Sequence, residues 1–346
     1  MRRVVAALAT VAFLASCGGS DDDESSAGSG GATDSFASLL GRVPDNASSR
    51  GSQIYYTNLD RIREGEPVAD NGEDDVRTML NATSFSFQLP SRYSRCFTSE
   101  ECVAELGFDT RAIDVSLEFG SIPDLTEVLV GEFSAADVQR SLEASPGGDG
   151  TRVTTIDGAT VLSLGTEGQA DVAARSAFRP IGNAVSLGIG GPGLVSANEQ
   201  AAVEAVLTLD RADSLAADPS YAAVAGALDT AKVDYALITP GVDGATWLLG
   251  GMGEVVTADD DGTTSDPAVV TYVFVFTDEA SAQAGAAAFA TTVETGSSLR
   301  LGIPWSEVLT VTESTVDGTV LVVTLQATNG GWWIRPLLSQ DDLLDF

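Results

Sequence analysis

Histidine is absent from the 346 residues, and lysine occurs once, as Lys232. The first absence excludes Ser-His-Asp and Cys-His catalysis, the two-histidine zinc helix and every imidazole metal ligand. Lys232 has Asp229 rather than serine three residues before it, and no Gly-x-Ser-x-Gly elbow occurs, so those serine nucleophiles are missing too. Any catalysis would fall to carboxylates. Positive charge is scarce in general: 18 Lys and Arg stand against 50 Asp and Glu, a net charge of -32. A chain of this sign is repelled by DNA, RNA and anionic headgroups, so nucleic acid is not an expected partner. All the basic residues but Lys232 are arginine, the preference of a GC-rich genome. Cysteine occurs three times. No apolar run reaches the roughly eighteen residues that a membrane span requires.

What is present begins with a short apolar run. Arg2 and Arg3 precede Val4 to Leu14, and the small residues Ala15 and Ser16 lead into Cys17. The run is too short to span a bilayer and has the layout of an export signal. Leu14-Ala15-Ser16-Cys17 resembles the lipobox of bacterial lipoproteins. The resemblance implies that residues 1–16 are a signal peptide and that the Cys17 thiol carries a diacylglyceryl group. The membrane is then a partner through this anchor, on its outer face, because two acyl chains hold stably where one is marginal. The alternative is an ordinary secretory signal with a cysteine near its end. Residues 17–38 are expected to form the lipidated cysteine and a tether. Gly18 to Asp34 hold no aliphatic residue larger than alanine and cannot bury enough apolar surface to offset the entropy of ordering.

Beyond the tether, strand patterns dominate. "IYYTNLD" from Ile54, "SFSFQLP" with Phe85, Phe87 and Leu89, and "DVSLEFG" with Val115, Leu117 and Phe119 each alternate, which predicts one apolar face per strand. "TEVLVGEF" runs into a helix that Ser134 caps, with Ala135, Val138 and Leu142 on one face. "VTTIDGATVLSL" then predicts a type I′ hairpin at Asp157-Gly158. The later chain replays this order: "VDYALIT", "ATWLLGG" and "VVTYVFVF", a helix over Glu279 to Glu294, and a second hairpin at Asp317-Gly318. Between them lie the hairpin "NAVSLGIGGPGLVSA", a helix from Asn198, and a helix with Asp218 as N-cap and Pro219 at its first position. The expected fold is α+β: two diverged repeats of a strand-strand-helix-hairpin unit, with mainly antiparallel sheets whose helices cover one face. Residues 39–230 form the first half with extra helices, and 231–346 the second with a C-terminal aromatic segment. The element order and acidic hairpins resemble actinobacterial envelope lipoproteins, a likeness that implies no activity.

Few residues carry candidate chemistry. In an exported protein Cys96 and Cys102 meet an oxidising environment and read as a disulfide, the alternative being two buried thiols. Gly188, Gly190 and Gly193 match a dinucleotide fingerprint in letters, but a strand follows them, so they read as a hairpin loop. Asp259, Asp260, Asp261 and Asp266 share a loop that could take calcium, against the plainer reading of a solvated hairpin tip. The acidic neighbours Asp74-Asp75, Glu100-Glu101 and Asp341-Asp342 read as solvated surface. Trp332 and Trp333 either fold back over a sheet edge with the apolar C terminus or form a docking site for a partner or ligand. No cofactor is expected. These features imply a membrane-anchored envelope lipoprotein acting as a non-enzymatic binding or interaction module for an envelope protein or small ligand. The alternatives are a ligand carrier or solute receptor with its site between the halves, and a glycan hydrolase with two inward carboxylates about 5 to 9 Å apart.

Overall fold

In the computed structural model, described for residues 35–65, 89–191, 193–242, 244–255, 268–328, 330–332, 334–339 and 341–346, the strands join one antiparallel sheet. They are β1 Ile54–Asn58, β2 Ile113–Ser121, β3 Asp124–Gly131, β4 Arg152–Ile156, β5 Ala159–Leu164, β6 Val185–Gly190, β7 Gly193–Ala197, β8 Tyr235–Pro240, β9 Leu249–Val255, β10 Ala268–Val275, β11 Leu309–Asp317 and β12 Val320–Ala327. The 12-stranded order is β11-β12-β10-β9-β8-β1-β2-β3-β7-β6-β5-β4. Its centre is the antiparallel pair β1–β8, with Ile54 opposite Ile238. From that pair β1-β2-β3 steps outward one way and β8-β9-β10 the other. In the later half β12 pairs directly with β10, whereas in the earlier half the β6–β7 hairpin lies between β3 and β5.

Helices lie on both faces, where the sequence predicts one. The helices used below are α1 Phe36–Leu39, α2 Ala47–Arg50, α3 Leu59–Gly65, α4 Glu100–Leu106, α5 Ala135–Ala144, α6 Gln200–Leu207, α7 Pro219–Thr230, α8 Glu279–Thr295 and α9 Arg335–Ser339. One core gathers Leu129, Leu162, Leu187, Leu237 and Tyr272 with Leu106 of α4, Leu142 of α5 and Phe289 of α8. The opposite core gathers Val115, Leu117, Val128, Val195 and Ile238 with Leu39 of α1, Val203 of α6 and Val224 of α7. The apolar runs of β8 and β10 fit this two-sided burial. In β2 the alternation hid it, because the second face there carries Ser116 and Glu118. The outermost strands β4 and β11 are mostly exposed, as edges facing water are.

Several local expectations hold. Ser134 accepts from Asp137 N at 3.3 Å, and Asp218 caps α7 ahead of Pro219. Asp157 and Gly158, at φ 46° and 80°, make the type I′ turn, with Ile156 paired to Ala159. The other hairpin differs. Asp317 pairs with Val320, so the corners are Gly318 and Thr319, and only Gly318 has positive φ, 56°, the pattern of a type II′ turn. Helix α6 starts at Gln200, because the Asn198 amide donates instead to Pro123 O at 2.6 Å. Phe36, expected in the tether, is buried under α7, and Phe36 N donates to Asp229 Oδ1 at 2.8 Å. The strand expected over "SFSFQLP" lies outside the described residues except for Leu89 and Pro90.

Candidate anion-binding cleft

The short turn Ser94–Phe97 and α4 are joined by the disulfide Cys96–Cys102. Ser99 caps the helix by accepting from Cys102 N at 3.3 Å. Gly107 ends it at φ 75°, where a Cβ would stand 2.6 Å from Asp137 O. That contact sets the start of α5 close against the end of α4. Between these two helices and the 175–180 loop opens a cleft of about 770 Å³ whose rim carries Arg95, Arg140 and Arg175. The disulfide matters to this rim, since Arg95 precedes Cys96 and Glu101, also on the rim, precedes Cys102.

The rim arginines differ in what holds them. Arg140 pairs with Asp137 at 2.6 Å on the exposed flank of α5. Arg175 donates through Nε to Pro180 O at 2.8 Å, and neither it nor Arg95 forms an ion pair among the described residues. The Glu105 carboxylate lies on the floor, buried, accepting from Phe178 N at 2.9 Å and from Ser176 Oγ. Behind it Arg179 is only 2% exposed. Burial lowers its pKa against the pull of Glu105 and Asp171. Its Nε donates to Asn183 O at 2.8 Å and its Nη2 to Gly182 O at 3.3 Å. The 175–183 loop is thus wound on a buried guanidinium, which presents Arg175 at the cleft. The arrangement suits an anion: two rim arginines have no ion-pair partner among the described residues, and the cleft is open enough for a small charged solute to reach them.

The other sequence candidates fall elsewhere. Trp332 is 3% exposed, packed edge-on to Trp305 at 5.9 Å, and its carbonyl accepts from Tyr272 Oη at 2.7 Å. The C-terminal segment is therefore a layer of the core over β10, which takes Trp332 out of any docking surface. Trp333 lies outside the described residues, as do Asp74, Asp75, Cys17 and the calcium candidates Asp259, Asp260, Asp261 and Asp266. Among the described residues no cluster of three or more His, Cys, Asp or Glu could hold a metal. No described helix is long and apolar enough to cross a membrane. Asp341 corrects the reading of its pair as solvated: it is 3% exposed and accepts from Leu299 N at 2.8 Å and from Ser298 Oγ. No sequence pattern singled out Glu127, which faces Glu118 across β2–β3. These two carboxylates take Arg92 N at 2.7 Å and Ser91 N at 2.9 Å, fastening the 91–97 segment to the sheet. The cleft itself lies within residues 95–180, not at the junction of the expected halves.

No family model and no curated protein matches the chain. Among solved structures it is similar to crystal form IV of TP0453, at a TM-score of 0.39 and 12% identity over 84% of this chain and 93% of that one.

Proposed function

We propose that the chain is an exported, lipid-anchored protein of the cell envelope that binds an anionic solute in the α4–α5 cleft without transforming it. The observation that carries the binding reading is the gathering of Arg95, Arg140 and Arg175 at one cleft in a chain of 18 bases and 50 acids. The non-enzymatic reading is supported by the missing histidine and by Glu105, Glu127 and Asp341, whose oxygens are committed to main-chain N–H groups. The outward order of strands from β1–β8, each trio followed by a helix and a hairpin, supports descent of the body from two copies of one unit.

Titration with inorganic phosphate, citrate and an uncharged hexose tests the site. Phosphate or citrate is expected to saturate, to weaken with salt and to lose about tenfold in affinity in Arg95→Gln and Arg175→Gln. Hexose binding equal to that of the anions, or indifference of both variants, would remove the proposal. For the anchor, Cys17→Ser is expected to release the protein from membranes or leave an uncleaved precursor, and unchanged detergent-phase partitioning refutes it.

A further inference from the structure

The opposite face of the sheet holds a second recess, and the glycine-rich hairpin makes room for it. A Cβ at Gly188 would stand 2.7 Å from Val203 and 2.9 Å from Leu207, and one at Gly190 would stand 2.8 Å from Ala159. Because those side chains are missing, α6 settles directly onto β6. Beside it, towards α1, lies a slot of about 90 Å³ walled by Leu39, Val128, Val130, Val195 and Leu207. The slot shares Ser38, Arg42, Gly190 and Leu207 with a wider mouth of about 570 Å³. Arg42, Arg211 and Asp157 stand at that mouth.

None of the three charges is committed to an ion pair among the described residues. Each rises from a defined stretch of backbone. Arg42 ends the turn that continues α1. Arg211 lies over Gly41, its Nη1 2.9 Å from where a Cβ would be. Asp157 is the first corner of the type I′ turn, at φ 46°. A slot with these aliphatic walls, smaller than the roughly 150 Å³ cavity that accepts benzene, suits a branched chain of about three or four carbons. Arg42 lines both the slot and the mouth, and Arg211 and Asp157 line the mouth; two guanidiniums fit one carboxylate, and a carboxylate fits one ammonium.

We propose that this recess binds a free α-amino acid with a small branched aliphatic side chain, of the valine or leucine kind. The side chain enters the slot, Arg42 and Arg211 take the α-carboxylate, and Asp157 takes the α-ammonium. A simple aliphatic acid would leave Asp157 facing a second negative charge; a simple amine would leave both arginines unmatched. This site is independent of the anion cleft, with which it shares no residue.

Isothermal titration of the full chain with L-leucine, glycine, L-phenylalanine, 4-methylpentanoate and 3-methylbutylamine tests it. L-Leucine is expected to saturate. Each of the others should bind at least about tenfold more weakly, for want of a side chain, for excess of one, or for loss of a charge-assisted hydrogen bond. Arg42→Gln and Asp157→Asn should each weaken leucine by about tenfold, while phosphate binding at the other cleft stays unchanged. Asparagine tolerates positive φ, so Asp157→Asn keeps the turn, and Arg42 is not a core residue. Absence of saturable leucine binding, equal affinity for 4-methylpentanoate, or an indifferent Asp157→Asn overturns the proposal.

Discussion

Burial raises the Glu127 carboxyl to about 8, because loss of water outweighs Arg92, whose Nε is 3.3 Å away and whose main-chain N–H donates at 2.7 Å. A carboxyl whose pKa rises on folding binds its proton more tightly in the folded state. Its stabilising contribution is complete below the unfolded value of 4.5 and is lost as pH rises through about 8. Glu127→Gln should therefore flatten the urea-unfolding stability between about pH 5 and pH 9; a variant that kept the wild-type slope would count against this assignment. Nothing in "TEVLVGEF" marks this glutamate. Its cover comes from Arg92 and Tyr93 on a distant segment, and single-strand periodicity does not report what lies on the other face. Cys96 and Cys102 were legible for the opposite reason: two cysteines six positions apart are a local feature.

Hairpin turns and capped helices such as α5 and α7 were the most readable elements, since their geometry rests on one or two residues. Gly158 and Gly318 have positive φ and no atom within 4 Å of an added Cβ, so substitution there reports backbone strain alone. Gly158→Val and Gly318→Val should each cost about 1 kcal/mol or more in equilibrium urea unfolding; an unchanged midpoint in either would contradict the turn geometry. The frame of the second turn was not readable, because an Asp-Gly pair serves equally with both residues at the corners or with glycine leading. The disulfide also acts as an element. Replacing both Cys96 and Cys102 by serine should lower stability by about 2 kcal/mol and weaken phosphate binding, as Arg95 and Glu101 lose their common support. Preserved affinity would separate the bridge from the cleft.

At the scale of the whole molecule, the sequence announced antiparallel pairing and two similar successions of elements, but not that they share one sheet. That union depends on β1 meeting β8, a pairing between remote segments that no local pattern encodes. The C terminus was equally opaque: its apolar residues were evident, their destination was not. Phe346 packs edge-to-face with Phe274 at 5.0 Å and Phe289 at 5.4 Å, while Leu344 O accepts from Trp247 Nε1 at 3.0 Å. Deleting residues 341–346 should cost roughly 3 kcal/mol or more and uncover apolar surface that binds a hydrophobic dye; a deletion with native stability would exclude this closure.

The β1–β8 seam also orders events during synthesis. The strands β1 to β7 leave the ribosome first and account for one flank of the sheet, but β1 then has a bare edge carrying Ile54 and Tyr56. Its partner is not complete until Pro240 has been added. For that interval the nascent chain offers an unpaired strand to any other copy, so the hazard of misassembly is concentrated in the centre of the finished sheet, not at its visible rims.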